Sequence, residues 1–235
     1  MINMINIVNN FTQVSLNISN FCTASHRAAN SVLLLAVSKT RSAAQLAELY
    51  RAGQRHFGEN YLQEALDKQQ LLADLPLIWH FIGPIQSNKT RAIAENFSWV
   101  HSIDRLKIAK RLAEQRPVDL APLNVCIQVN ISNEANKAGC LSQDCLALIS
   151  QISEFKQLKV RGLMAIPKAT ENVVEQRAAF AAMSQLLLQC QAKYPDLDTL
   201  SMGMSADIEP AIAQGATIVR VGTALFGPRI YSQDP

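Results

Sequence analysis

The sequence predicts an α/β fold: a single (β/α)8 TIM barrel with an extra helix at the N-terminus. Three observations predict it. Short runs rich in Val, Ile and Leu recur along the 235 residues, and segments of helical periodicity separate them. Such alternation argues for parallel βαβ units. The runs are continuously apolar, which suits a sheet covered on both faces. Eight units in about 205 residues fit a closed barrel better than an open sheet.

Residues 1–30 read as a leader, either an extra helix packed outside the barrel or a partly disordered segment. Residues 31–235 read as the barrel. Its first strand is Leu33–Ser38, followed by a helix at Ala43–Ala52. Strands at His56–Gly58 and Ile78–Ile82 come next, then strand Trp99–Ser102 with helix Arg105–Gln115. Strand Val125–Asn130 precedes helix Asp144–Phe155, and strand Arg161–Ile166 precedes helix Val174–Tyr194. Thr199–Gly203 leads into helix Asp207–Gln214, and Thr217–Val221 closes the barrel. No Gly/Ser linker, charge block or further repeat divides the chain, so one domain is expected.

Composition excludes several classes. Apolar residues make up 49% of the chain, enough for a full core, and the net charge is only +3. The basic clusters Lys107–Arg111 and Lys156–Arg161 lack interleaved aromatics and read as solvated faces, so no nucleic acid is expected. The five cysteines (Cys22, Cys126, Cys140, Cys145 and Cys190) are odd in number and lack CxxC spacing. They make neither a disulfide framework nor a zinc site, and a reducing cytoplasm suits them. The four histidines never fall at metal-ligand spacing. The start of the chain lacks the basic and apolar regions of a signal peptide. No apolar run approaches the roughly 18 residues that span a bilayer, so no membrane is expected.

In such a barrel the chemistry sits at the C-terminal ends of the strands. Strand one ends in Ser38-Lys39-Thr40. Lys39 either snorkels from the barrel mouth or pairs with a carboxylate such as Glu59, or it is a nucleophilic amine made more reactive by desolvation. Asn60, His80, Gln86, Asn88 and Asn130 can each hydrogen-bond near the mouth, or simply cap helices and close loops. Ser205 and Asp207 stand where a helix N-cap would. Gly222 and Thr223 follow strand eight, where exposed amides and a hydroxyl can face a phosphate. Arg220 shares a strand face with Gly222. Buried inside a barrel it needs a partner: a carboxylate, Glu59 or Asp207, or the ring nitrogen of a phosphorylated heterocycle.

Together, "AVSKT", "GQRHFGENYLQEALDK", "WHFIGPIQSNK", "HSIDR", "VNISNEANKAG", "RGLMAIP", "SMGMSADIEPAI" and "RVGTALFG" resemble the pyridoxal 5′-phosphate (PLP) homeostasis proteins. The resemblance runs in order from about residue 32 to residue 227 and implies a TIM barrel of the alanine-racemase type. It also implies that Lys39 forms an internal aldimine with the PLP aldehyde. Ser205, Gly222 and Thr223 match phosphate-binding positions, and Arg220 matches the contact to the pyridine nitrogen. Asn60 and Met202 match positions near the ring. Pro228 and Ile230 depart from the family's usual C-terminal neighbourhood.

Two functions share such a site: a cofactor carrier acting in intracellular PLP homeostasis, and a PLP-dependent amino-acid racemase or decarboxylase. An arginine partner leaves the pyridine nitrogen unprotonated and the ring a weaker electron sink. Racemases of this type add a β domain that brings a second acid/base, and this chain has no segment for one. Two-sided proton transfer needs a group on each face, so the resemblance implies a PLP-binding protein without substantial turnover and no catalytic residues. Other B6 vitamers and apo-PLP enzymes are the expected partners, and a monomer the expected state. A Schiff-base aldolase of a phosphorylated sugar would also use a barrel lysine and a phosphate site, but it leaves Arg220 without a role.

Overall fold

The computed structural model describes residues 6–132, 134 and 136–228; residues 1–5 and the tail that includes Ile230 lie outside the described residues. The order is α1 (Ile7–Ala24), β1 (Leu33–Val37), α2 (Ala43–Arg51), β2 (His56–Glu59), α3 (Leu62–Leu71) and β3 (Ile78–Phe81). Next come α4 (Thr90–Asn96), β4 (Trp99–Ile103), α5 (Leu106–Gln115), β5 (Leu123–Gln128), α6 (Cys145–Ile152) and β6 (Leu158–Met164). The chain continues through α7 (Val173–Gln191), β7 (Thr199–Met204), α8 (Ile208–Ala213), β8 (Ile218–Val221) and α9 (Thr223–Phe226). The eight strands close in sequence order into one parallel barrel, as the alternating pattern predicts.

The predicted strands all form, with ends displaced by up to three residues: β6 starts at Leu158 rather than Arg161. Three helices fall where no helix was read. In α3 the buried positions are Ala65 and Lys68, so the apolar stripe that would betray it is missing. The other two, α4 and α9, are short.

The leader segment contains a true helix. Ile7, Val14, Ile18 and Cys22 form the buried stripe of α1, and Asn6 caps its start by accepting from the Asn9 amide. This helix packs on α8 and α9, outside the barrel. Asn10 Nδ2 donates to the Leu225 carbonyl at 2.9 Å, and Arg27 Nη1 donates to the Ile212 carbonyl at 2.9 Å. It therefore braces the two helices that follow β7 and β8. Register does the rest: Leu35 lies opposite Arg220, Ala36 opposite Val221, and Val37 opposite Gly58. The residues after β1 and β8 thus leave the barrel side by side. Among the described residues no helix is long and apolar enough to cross a membrane, and all five cysteines are free.

Candidate functional site

Lys39 follows β1 on a segment clamped from both sides. Ser38 is fully buried; its amide donates to the Gly58 carbonyl at 3.0 Å and its hydroxyl to Glu59 Oε1 at 2.6 Å. Lys68 Nζ, reaching up from α3, donates to the Ser38 carbonyl at 2.7 Å, to Glu59 at 2.7 Å and to Glu64 at 2.6 Å. Glu64 in turn accepts from the Thr40 amide at 2.5 Å. The backbone on each side of Lys39 is therefore pinned, and Thr40 is held at φ 62°. Glu59, weighed above as a partner for Lys39 or Arg220, is the partner of Lys68 instead. Burial raises the Glu59 pKa, and Lys68 opposes the rise.

Lys39 lines a cavity of about 320 Å³ at the C-terminal end of the barrel. Arg220 reaches the same cavity from β8. Its Nη1 donates to the Ser201 carbonyl at 2.6 Å and to Ser201 Oγ at 2.9 Å, and its Nη2 to the Ala165 carbonyl at 2.9 Å. Among the described residues it makes no ion pair, contrary to the carboxylate partner that its burial suggested. Asp207 spends its carboxylate on the Met204 amide and does not cap α8. Burial pulls Arg220 down to about 10, against the pull of Asp207, so it stays charged near neutrality. Neutral acceptors hold it in place and leave its charge for whatever enters the cavity.

Next to Arg220, Gly222 and Thr223 begin α9, and Ser205 Oγ accepts from the Ala224 amide at 3.4 Å across the β7 and β8 loops. A Cβ on Gly222 would sit 3.3 Å from the Val37 carbonyl, so a side chain there would press on β1. Arg41 adds a cation to the lining; its Nη2 donates to the Gly227 carbonyl at 2.5 Å and its guanidinium lies 5.6 Å from the Phe226 ring centroid. Ile82 and Ile166 supply apolar walls. Asn60 lines the cavity with a buried Oδ1 that has no partner among the described residues. Its backbone touches Gly83 so closely that a Cβ there would lie 2.3 Å from the Asn60 carbonyl oxygen.

The structure thus gathers Lys39, Asn60, Ser205, Arg220, Gly222 and Thr223 around one space. Met202 is fully buried in β7 and does not line it; Met204 does. His80 lies inside the barrel, and Asn130 braces its own loop through the Glu134 carbonyl and amide. Gln86 lines a neighbouring cavity. Sequence reasoning missed Arg41, Lys68 and Ser201. Arg41 stands two residues past Lys39, and Lys68 is the cation that buried Glu59 required.

The donor set fits PLP part by part. The amine of Lys39 matches an aldehyde, and Arg220 matches a ring nitrogen that can only accept. Ser205, Thr223 and the start of α9 match a phosphate. The Asn60 Oδ1, without a partner among the described residues, offers an acceptor to a ligand donor.

Residues 16–230 match the family model for the alanine racemase N-terminal domain. A pyridoxal phosphate homeostasis protein of Pseudomonas aeruginosa is 58% identical over 228 residues, covering 97% of this chain and 98% of that protein. Its Escherichia coli counterpart is 48% identical over 233 residues, covering 98% and 100%. PipY of Synechococcus elongatus, whose structure has been solved with PLP bound, is 41% identical with a TM-score of 0.78, covering 89% of this chain and 100% of that one. Alanine racemase from Corynebacterium glutamicum is 17% identical with a TM-score of 0.65, covering 94% of this chain and 62% of that one, and shares the fold. The chain belongs to the pyridoxal phosphate homeostasis protein family, built on the alanine racemase N-terminal domain.

Proposed function

We propose that this protein binds PLP and serves its homeostasis in the cell, holding it covalently through Lys39 without substantial turnover. One observation carries the reading: the Lys39 amine, the Arg220 guanidinium, which makes no ion pair among the described residues, and a hydroxyl-lined helix start meet in one cavity across the β1–β8 seam. PLP supplies an aldehyde that condenses with a primary amine and releases water. Lys39 is that amine, held in place by the Lys68 and Glu64 clamps on Ser38 and Thr40. Arg220 donates to the ring nitrogen and has no proton to give at neutral pH. Ser205, Gly222 and Thr223 take the phosphate, with Arg41 beside them.

The carrier reading over a racemase or decarboxylase rests on the lining. Its titratable side chains, among the described residues, are Lys39, Arg41 and Arg220. Besides Lys39, the lining offers guanidinium groups, which do not give up a proton near neutral pH, so among the described residues the face opposite Lys39 lacks an acid/base. In this reading the partners are PLP, other B6 vitamers and apo-enzymes that receive PLP, and the protein is a cytoplasmic monomer.

Purified protein loaded with PLP should be yellow, and borohydride should bleach it and fix the label on Lys39. Lys39→Ala should lose the band while keeping the circular dichroism of the parent. Protein that stays colourless after incubation with PLP would defeat the binding reading. Exchange of the α-proton of any amino acid into deuterated water would move the assignment to an enzyme.

A further inference from the structure

Behind Arg220 the barrel interior carries a file of side chains that do not line the cavity. His56 Nδ1 lies 2.9 Å from His80 Nε2, and His80 Nδ1 lies 2.9 Å from His101 Nε2. His101 Nδ1 lies 2.8 Å from Ser201 Oγ, which accepts from Arg220 Nη1 at 2.9 Å. The file crosses β2, β3, β4, β7 and β8. His80, His101 and Ser201 are fully buried, and His56 is half-buried.

Proton counting along the file has one solution. A guanidinium only donates, so Ser201 Oγ accepts from Arg220. The single hydroxyl proton of Ser201 then has His101 Nδ1 as its acceptor. Were that nitrogen protonated, the hydroxyl proton would be left unpaired in a buried site, a cost of about 1–3 kcal/mol. A neutral imidazole that accepts at Nδ1 donates from Nε2. His101 Nε2–H therefore donates to His80 Nδ1, and His80 Nε2–H donates to His56 Nδ1. Every histidine in the file carries its proton on Nε2, and every hydrogen bond points away from Arg220. The indole of Trp99, stacked on His80 with planes 10° apart, fixes the middle ring. Burial and the nearby guanidinium hold His101 down to about 3, which keeps the file neutral.

We propose that Ser201 is a positioning residue for Arg220, and that the His101–His80–His56 file fixes the direction of its hydroxyl. The Ser201 lone pair then always faces the guanidinium, and Arg220 presents its remaining N–H groups to the ring-nitrogen acceptor. The proposal rests on the reading of Arg220 as ring partner.

The first test needs no cofactor. In protein with 15N-labelled histidine at neutral pH, long-range 15N–1H spectra should show Nε2–H tautomers for His56, His80 and His101. An Nδ1–H tautomer at His80 or His101 would overturn the polarity. Ser201→Ala should mix the His101 tautomers and weaken PLP binding about tenfold, with the circular dichroism kept; Ser201→Thr, which returns the hydroxyl, should restore both. Should Ser201→Ala fail to fold, His101→Phe keeps the ring shape and removes the acceptor, and it should cost the same tenfold. PLP affinity unchanged in whichever of these folds would overturn the positioning role. Failure of the parent protein to bind PLP would instead defeat the functional reading, while the tautomer spectra still judge the file.

Discussion

Arg220 is 5% exposed, and its contacts are two carbonyls and a hydroxyl. A charged hydrogen bond to a ring nitrogen contributes about 1.5–3 kcal/mol, or roughly ten- to hundredfold in affinity. Arg220→Ala should therefore weaken PLP binding by that factor in a fluorescence titration, and Arg220→Lys should recover little, since a point charge cannot serve the carbonyls and the ring together. Wild-type affinity in both variants would make Arg220 purely structural. At this scale the sequence is legible where the side chain itself does the work: Lys39, Ser205, Arg220 and Thr223 all line the cavity. It is less legible where backbone does the work. The Ala165 and Ser201 carbonyls that seat Arg220 leave no mark in residue identity. Met202 and Met204 should share a strand face, but a shift of register between Ser201 and Met204 breaks the alternation, and only Met204 reaches the cavity.

The turn after β1 depends on α3, the helix whose pattern is hardest to read. Lys68 is buried in the position where an amphipathic helix would place an apolar residue. It is held there by Glu59, which is fully buried, and by the Ser38 carbonyl. Removing one partner of a buried pair leaves the other charge uncompensated and costs about 3–5 kcal/mol. Lys68→Met should lose that much stability in urea denaturation and should slow labelling of Lys39 by PLP, because Ser38 is released. Glu59→Gln/Lys68→Met, which removes both charges, should recover most of the stability but not the labelling rate. Equal stability of Lys68→Met and the parent would show that the clamp carries no load. The rule that buried charges are paired makes a partner for Glu59 foreseeable, but only the fold says which lysine supplies it.

Across the whole molecule, eight apolar runs separated by helical segments were enough to foretell a closed barrel, because eight such units in about 205 residues fit a barrel better than an open sheet. Beyond Arg220, the polar content of its interior was not foretold. The sequence reading puts His80 near the mouth and gives His101 no role, yet both sit in the barrel, with burial holding His80 well below its usual range and His101 at about 3. This placement sets how stability depends on pH. Both stay neutral in the folded protein, while in the unfolded chain each takes up a proton below about pH 6.5. Where the unfolded state binds more protons, stability rises with pH. The contribution is therefore complete above pH 6.5 and is lost as pH falls. For His101 the loss between pH 7 and pH 5 is roughly 2 kcal/mol, and His80, also lowered by burial, adds to it in the same direction. That is a large share of the roughly 5–15 kcal/mol typical of a folded domain. Glu59 and Asp207, whose pKa values burial raises, act in the opposite direction as they take up protons in the folded state first, toward the acid end. The measurement is urea denaturation at pH 7 and pH 5 on the parent and on His80→Gln. The parent should lose stability toward pH 5, by about 2 kcal/mol from His101 alone, and the variant should lose less because one titrating group is gone. A parent equally stable at both pH values would mean that the buried imidazoles accept protons without unfolding the barrel.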